Sequence, residues 1–370
     1  MTSSDLFIGI MSGTSLDSID TVLVEFDEGY PKLIATHNAE LPENLRCEIL
    51  TLNTSGSDEI ERLASLDPRL ASVFAESCLE LLRRHNISPK AIKAIGSHGQ
   101  TIRHRPEKGF SLQIGDPNII AEHTSITTIA DFRRRDLAAG GQGAPLVPSF
   151  HYQCFQSTQK DRVIINIGGM ANITLLPKES TGKVIGYDTG PGNVLLDYWA
   201  EHSFGKSYDL KGLFAKSGSI NMALLDSFLA EPYFDAPYPK STGRELFNAQ
   251  WLSMHLQQAI KSEIKPEDVQ STLTELTATS IAKAILSHQL SSPEIYVCGG
   301  GSHNDYLLNR LANQLNLPVY TTETLGLHPD WVEACAFAWL AYRTLNHQSG
   351  NLPAVTGAKG ERILGGIYMA

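Results

Sequence analysis

The sequence predicts an α/β fold made of two domains of similar plan, and three observations predict it. The order strand, turn, strand, strand, helix, strand, helix can be read twice along the chain. Glycine-rich turns follow predicted strands at Gly13-Thr14-Ser15, at Gly168 to Asn172 and at Gly299 to Ser302. The length, 370 residues, suits two domains rather than one. A repeat of this span is a domain duplication, not a solenoid period.

In the first half, Leu6 to Met11 reads as a strand, Ser12 to Ser15 as a tight turn, and Ile19 to Phe26 as the returning strand. Lys32 to Ala39 supplies a third. Apolar residues at helical spacing then mark Arg46 to Leu52 and Asp58 to His85, with short strands at Ala94 to Gly96 and Ile126 to Ala130. The second half repeats this with strands at Arg162 to Ile167, Ala171 to Leu176 and Val184 to Tyr187, then a helix at Val194 to Phe204. Helices at Ile220 to Leu229, Ala249 to Ile260 and Leu273 to Leu290 lead to a strand at Glu294 to Cys298. Helices at Asp305 to Leu315 and Trp331 to Leu345 close the pattern. The domains are expected over 1–135, joined by a C-terminal segment near 350–370, and over 136–349, with helical insertions. The Arg- and Gly-rich run Asp131 to Pro148 reads as the hinge.

Hydrophobic residues are 42% and charged residues 19%, which excludes wholesale disorder. A net charge of −10 argues against a nucleic-acid partner. The longest apolar run, Ala334 to Tyr342, falls far short of the roughly 20 residues of a membrane span. No basic segment precedes the first apolar stretch, so a cytoplasmic protein is expected. Five cysteines without a CxxC spacing read as reduced core thiols.

A turn of Gly with Ser or Thr leaves backbone N–H groups and hydroxyls to bind phosphate oxygens. One such turn alone is an ordinary hairpin; three in equivalent places point to a phosphate-bearing ligand. Other nucleotide motifs fail. Phe204-Gly205-Lys206-Ser207 resembles the end of a Walker A loop, but Ala200 stands where its first glycine belongs. No G-x-G-x-x-G opens a helix after a strand, and neither H-E-x-x-H nor G-x-S-x-G occurs.

The three turns in this order resemble those of the actin, sugar kinase and heat-shock ATPase superfamily. The segment Ile8 to Asp20 (IGIMSGTSLDSID) is similar to the ATP-binding signature of the anhydro-N-acetylmuramic acid kinase family. So are Gly96 to Thr101, Ala138 to Leu146, Asn166 to Gly169, Gly186 to Asn193 and Trp331 to Ala334, which run in one order along nearly the whole chain. The resemblance implies duplicated ribonuclease H-like domains with an ATP cleft between them, and a homodimer. It implies an enzyme that opens 1,6-anhydro-N-acetylmuramic acid with water and phosphorylates O6 at the expense of ATP, with Mg²⁺. The other readings are an ordinary sugar or small-acid kinase of the same superfamily, and a non-catalytic nucleotide switch of the actin or chaperone kind.

Carried onto this sequence, the resemblance implies Asp188 as the base that takes a proton from the attacking water. Asp188 ends a predicted strand just before Thr189 to Asn193, where helix amides would favour its ionised form; the bland alternative is a turn or capping Asp. Gly13, Thr14, Ser15, Leu16, Asp17, Ser18, Ile19 and Asp20 are expected around the ATP phosphates, with Gly168, Gly169 and Asn172 opposite. Gly299, Gly300, Gly301 and Asn304 are expected near adenosine. Glu333, His98, Gln100, Arg133 and Asp136 are the candidates for the sugar; Arg suits its lactyl carboxylate because a guanidinium bonds bidentately. The plain alternative for the charged run 131–136 is a solvated surface. Met11 and Asn166 stand where superfamily members commonly carry aspartates near Mg²⁺, which leaves Asp17 or Asp188 to hold the metal through water.

Overall fold

The computed structural model describes residues 5–13, 16, 18–178, 182–259 and 264–370. The chain divides into two compact units, residues 1–154 with 331–370, and residues 155–330.

The first unit opens with β1 (Asp5–Ser12), β2 (Ser18–Asp27) and β3 (Tyr30–Glu40), an antiparallel meander. Helices α1 (Glu43–Leu52) and α2 (Glu59–Arg84) follow, then β4 (Ile92–Ser97), parallel to β1. A separate hairpin of β5 (Gln100–Arg105) and β6 (Phe110–Ile114) precedes α3 (Pro117–Thr124) and β7 (Thr128–Ala130), which lies parallel to β4. Helices α4 (Phe132–Ala138) and α5 (Pro148–Phe155) lead to the second unit.

There the plan recurs. Strands β8 (Arg162–Ile167), β9 (Met170–Leu176) and β10 (Ile185–Pro191) form the second meander, followed by α6 (Val194–Phe204). A helical stretch comprises α7 (Leu213–Ser217), α8 (Met222–Leu229), α9 (Ala249–Ala259) and α10 (Pro266–Leu286). Then β11 (Glu294–Cys298) pairs parallel with β8, and after α11 (Asp305–Leu315), β12 (Val319–Thr321) pairs parallel with β11. The chain returns to the first unit through α12 (Val332–Leu345), α13 (Pro353–Thr356) and β13 (Gly366–Tyr368), antiparallel to β7. The sheet orders are β3-β2-β1-β4-β7-β13 and β10-β9-β8-β11-β12, so the first five strands agree in order and sense. The duplication read from the sequence is present in the fold.

Two-residue periodicity sorts the strand faces. In β1, Ile8 and Ile10 join a core with Leu23 of β2, Ile49 of α1, and Leu70, Phe74 and Leu81 of α2. The opposite face carries Phe7, whose ring lies 5.7 Å from that of Tyr342 on α12. Close approach of α12 needs glycine beneath it: a Cβ on Gly9 would collide with the carbonyl of Ala334, and one on Gly96 with that of Phe337. In the second sheet, Val163, Ile165, Ile167, Ile295 and Val297 pack against Ile281 of α10 and Leu307 and Leu311 of α11. Each such buried aliphatic side chain contributes roughly 1.5–3 kcal/mol.

The units part company with the expected boundaries. The first runs to Cys154 rather than 135 and resumes at Trp331 rather than near 350, because α12 packs on β1, β2 and β4. Asp131 to Pro148 therefore lies within the first unit and is no hinge between units. Arg133 and Asp136 bond its loop, Gln142 donates its N–H to the Thr356 carbonyl at 2.7 Å, and Lys359 donates to that of Ala139 at 2.9 Å. Cys78, Cys298 and Cys335 are buried thiols, whereas Cys47 is exposed on α1 rather than in the core.

Candidate active site

A row of polar residues crosses the second sheet. Asn166 at the end of β8 lies opposite Asn172 of β9, and Asn172 lies opposite Asp188 of β10. Residues paired in this way project from the same face, here the face opposite the aliphatic core. Asp188 is 8% exposed and Asn166 3%, with Asn172 half-buried between them. Register shifts between Asp188 and Gly190, leaving Thr189 as an extra residue. Such a bulge re-aims neighbouring side chains and is common beside functional sites.

Asp188 is held by a segment between α8 and α9. Its Oδ2 accepts the N–H of Thr242 at 3.0 Å, its carbonyl accepts the Tyr233 hydroxyl at 2.7 Å, and its N–H donates to the Lys240 carbonyl at 3.2 Å. The amide that favours the ionised carboxylate thus comes from Thr242. The first amides of α6, expected to do this, are engaged elsewhere: Gly192 and Val194 donate to the Gly169 carbonyl and Asn193 to that of Gly168. Burial pushes the Tyr233 phenol far up, and the Asp188 charge adds to it. Burial also lowers Lys240, against the opposing pull of Asp235 and Asp188. Nothing in the spacing of Tyr233, Lys240 and Thr242 marks them in the sequence, because they lie on irregular chain.

The glycine turns are built as close-contact corners. Gly299 has a φ of +79°, and a Cβ there would strike Oδ1 of Asn166, so only glycine brings β11 out beside the polar row. Gly300 and Gly301 begin a 3-10 turn, and Asn304 caps α11 by accepting the Leu307 N–H at 3.0 Å on Oδ1. Gly168 donates its N–H to the Met170 carbonyl at 3.1 Å. In the first unit, Gly13 ends the β1 turn, whereas the side chains of Leu16 and Ile19 are core-buried and leave only backbone for a ligand. Ser18 and Asn38 both bond the Asp20 carboxylate, Asn38 at 2.7 Å. Thr14, Ser15 and Asp17 lie outside the described residues.

The ends of β1 and β4 gather a second cluster. The Ser12 hydroxyl donates to Oε1 of Gln100 at 2.7 Å. His98 continues from β4, and its Nε2 accepts from Nη2 of Arg133 at 2.9 Å, while Nη1 of Arg133 donates to the Gly143 carbonyl at 2.9 Å. Arg133 is thus fixed beside His98 rather than solvated, unlike the exposed Arg134 and Arg135. Burial, then the Arg133 charge, drives His98 well below the ordinary imidazole range, so the ring is neutral with its proton on Nδ1. Its ring packs 4.7 Å from Phe337 of α12. Glu333 precedes Phe337 by four residues and shares its helix face, in the first turn where the dipole favours a carboxylate. His98, Gln100, Arg133 and the Glu333 face of α12 therefore belong to one corner of the first unit.

Asp136 has a different role from the sugar contact expected of it. It is 0% exposed, and both oxygens are bonded inside the protein. Oδ2 accepts the Gly143 N–H at 2.9 Å; Oδ1 accepts from Asn351 at 2.7 Å and Thr356 at 2.8 Å. It clasps the α4 loop to the C-terminal segment and cannot reach a ligand.

For a metal, the chemistry of the donors decides. Oδ1 of Asn166 and Oδ1 of Asn172 are buried and meet no hydrogen-bond partner among the described residues. With Asp188 they offer three oxygens in one row, suited to the water shell of a hard cation such as Mg²⁺. Among the described residues no group of three or more His, Cys, Asp or Glu side chains gathers to bind an ion directly. The fit is to a hydrated ion.

A family model described as anhydro-N-acetylmuramic acid kinase matches residues 5–370. The anhydro-N-acetylmuramic acid kinase of Shewanella amazonensis is 52% identical over 373 residues, covering 100% of both chains. That of Coxiella burnetii is 49% identical over 365 residues, 98% of this chain and 97% of its own. That of Pseudomonas syringae pv. syringae is 49% identical over 365 residues, 98% of this chain and 99% of its own. With a match along the whole described fold and relatives half identical from end to end, the chain belongs to the anhydro-N-acetylmuramic acid kinase family.

Proposed function

We propose that the protein is an ATP-dependent kinase that opens 1,6-anhydro-N-acetylmuramic acid with water and phosphorylates the released O6. The products are N-acetylmuramic acid 6-phosphate and ADP, a step of cell-wall recycling. The observation that carries this reading is the bound, buried carboxylate of Asp188 in line with Asn166 and Asn172, in a chain whose relatives bear that kinase name.

Asp188 takes the proton of a water as that oxygen bonds the anomeric carbon and the bond from that carbon to O6 breaks. O6 then bonds the terminal phosphorus of ATP, and the bond from that phosphorus to the bridging oxygen of ADP breaks. Position and charge, rather than covalent catalysis, carry such a transfer. The segment Gly13, Thr14, Ser15, Leu16, Asp17, Ser18, Ile19 and Asp20 meets the phosphates through backbone and short side chains, as do Gly168, Gly169 and Asn172. Gly299, Gly300 and Gly301 let adenosine lie against backbone, with Asn304 fixing the turn they enter. Asn166, Asn172 and Asp188, or Asp17, would hold Mg²⁺ through water, where it would neutralise phosphate charge. Arg133 recognises the lactyl carboxylate; His98, Gln100 and Glu333 bond the sugar. The resemblance supports a homodimer in the cytoplasm. Among the described residues no helix is long and apolar enough to cross a membrane.

ADP release by the purified protein tests the reading. It should depend on 1,6-anhydro-N-acetylmuramic acid and be small with glucose, N-acetylglucosamine or no sugar. Release driven by another sugar or acid alone would refute the substrate.

A further inference from the structure

The N–H, C=O and Oδ2 of Asp188 are met by residues 233–242: the N–H by the Lys240 carbonyl, the C=O by the Tyr233 hydroxyl and Oδ2 by the Thr242 N–H. This segment has no regular structure beyond a short 3-10 turn at Pro232–Asp235, so something other than a helix or sheet ladder must hold it. The Lys240 side chain does so. Its ammonium donates to the carbonyls of Tyr233 at 2.9 Å and Phe234 at 3.1 Å, and it lies 4.6 Å from the centre of the Tyr233 ring. The Phe234 ring in turn fills the space beside Gly190, at the β10 bulge. Lys240 thus ties together the two ends of the segment that encloses Asp188.

We propose that Lys240 is a positioning residue for Asp188: its ammonium closes the 233–242 segment around the carboxylate. The proposal rests on the reading of Asp188 as the base. A base acts only from within hydrogen-bond reach of the proton it takes, so the segment that fixes the carboxylate fixes its reach. Asp235 and Asp188 both attract the Lys240 charge. Tyr233, with Glu245 near it, and Tyr187 with its partner His288 also lie on this side. Against the same strand, β9 offers the neutral Asn172, and α10 the hydroxyls of Thr277 and Ser280.

The test is a cycle of Lys240→Met, Lys240→Arg and Asp188→Asn, read in kcat and sugar KM. Lys240→Met should lower kcat about 10-fold or more with sugar KM within about 2-fold. Lys240→Arg should recover most of the loss. In the Asp188→Asn background, Lys240→Met should cost less than about 2-fold, because its target is gone. Equal losses in both backgrounds, or no recovery in Lys240→Arg, would overturn the role of Lys240 while a severe Asp188→Asn defect leaves the base in place. Near-normal turnover of Asp188→Asn alone would remove the base, and the proposal with it. Should Lys240→Met not fold, Tyr233→Phe removes only the hydroxyl on the Asp188 carbonyl. It should lower kcat about 5-fold at constant sugar KM, and an unchanged kcat would count against the bracket.

Discussion

The backbone N–H of Thr242 lies 3.0 Å from Oδ2 of Asp188, so a buried carboxylate at a strand bulge is bonded by an amide 54 residues further along the chain. One oxygen is fixed by a donor that favours the charged form a base requires. Asp188→Asn preserves shape and the Thr242 bond but cannot accept the proton. Turnover should fall at least about 10²-fold while ATP binding, followed by calorimetry, is retained. Near-normal turnover would remove Asp188 from the mechanism.

The sugar corner separates by kinetic constant. Glu333→Ala should raise the sugar KM and leave the ATP KM nearly unchanged; an unaltered sugar KM would return Glu333 to an ordinary first-turn residue. Arg133→Ala should abolish the preference for muramic over glucosamine-type anhydrosugars, because the lactyl carboxylate loses its guanidinium. A preserved preference would leave Arg133 a structural role, through its bonds to His98 and Gly143 among others.

Asp136 should behave as structure. Asp136→Ala strands the donors of Gly143, Asn351 and Thr356, a loss on the order of 3–5 kcal/mol in a denaturant titration. The sugar KM of the folded fraction should not change. A raised sugar KM without loss of stability would restore the substrate contact first expected of it.

Stability should fall on mild acidification. Burial, aided by Arg133, holds His98 well below the ordinary range and takes His104 down to about 4; burial alone takes His151 down to about 3. Below pH 6.5 the unfolded chain takes up protons that these folded imidazoles refuse. The stability they contribute is complete above about pH 6.5 and is lost as pH falls. Each costs about 1.4 kcal/mol per pH unit well below 6.5, so denaturation at pH 7 and 5.5 should differ by on the order of 3 kcal/mol. Equal stability at both would mean that the imidazoles accept protons in the folded state.

Much of the fold was legible because strong local patterns agreed with tertiary demand. The β-branched run at Arg162–Ile167 and the helices Val194–Phe204 and Asp305–Leu315 lie where periodicity puts them. The helix read from Leu273 begins instead at Pro266, because its first turns are buried with Gln270, Thr272 and Thr274 and look polar in sequence. Their hydroxyls are satisfied within the helix, Thr272 donating to the Asp268 carbonyl at 2.7 Å. The hairpin Gln100–Arg105 with Phe110–Ile114 escaped notice because its turn is a Pro-Glu-Lys 3-10 turn rather than a glycine pair. At the site, His98 and Gln100 stood beside glycines and could be singled out. Asp136 was chosen for its charge, and only its partners 215 and 220 residues away reveal the clasp. Thr242 acts through its backbone, which no residue type announces.

The central claim is a transfer coupled to ring opening by water, and isotope content of the product tests it most directly. The protein is given ATP and 1,6-anhydro-N-acetylmuramic acid in ¹⁸O-labelled water, quenched before the free anomeric hydroxyl exchanges, and the sugar product is weighed by mass spectrometry. The account predicts a 6-phosphate carrying a single heavy oxygen, at the anomeric carbon. A phosphorylated sugar without label would contradict it, leaving a hydroxyl kinase on the same fold.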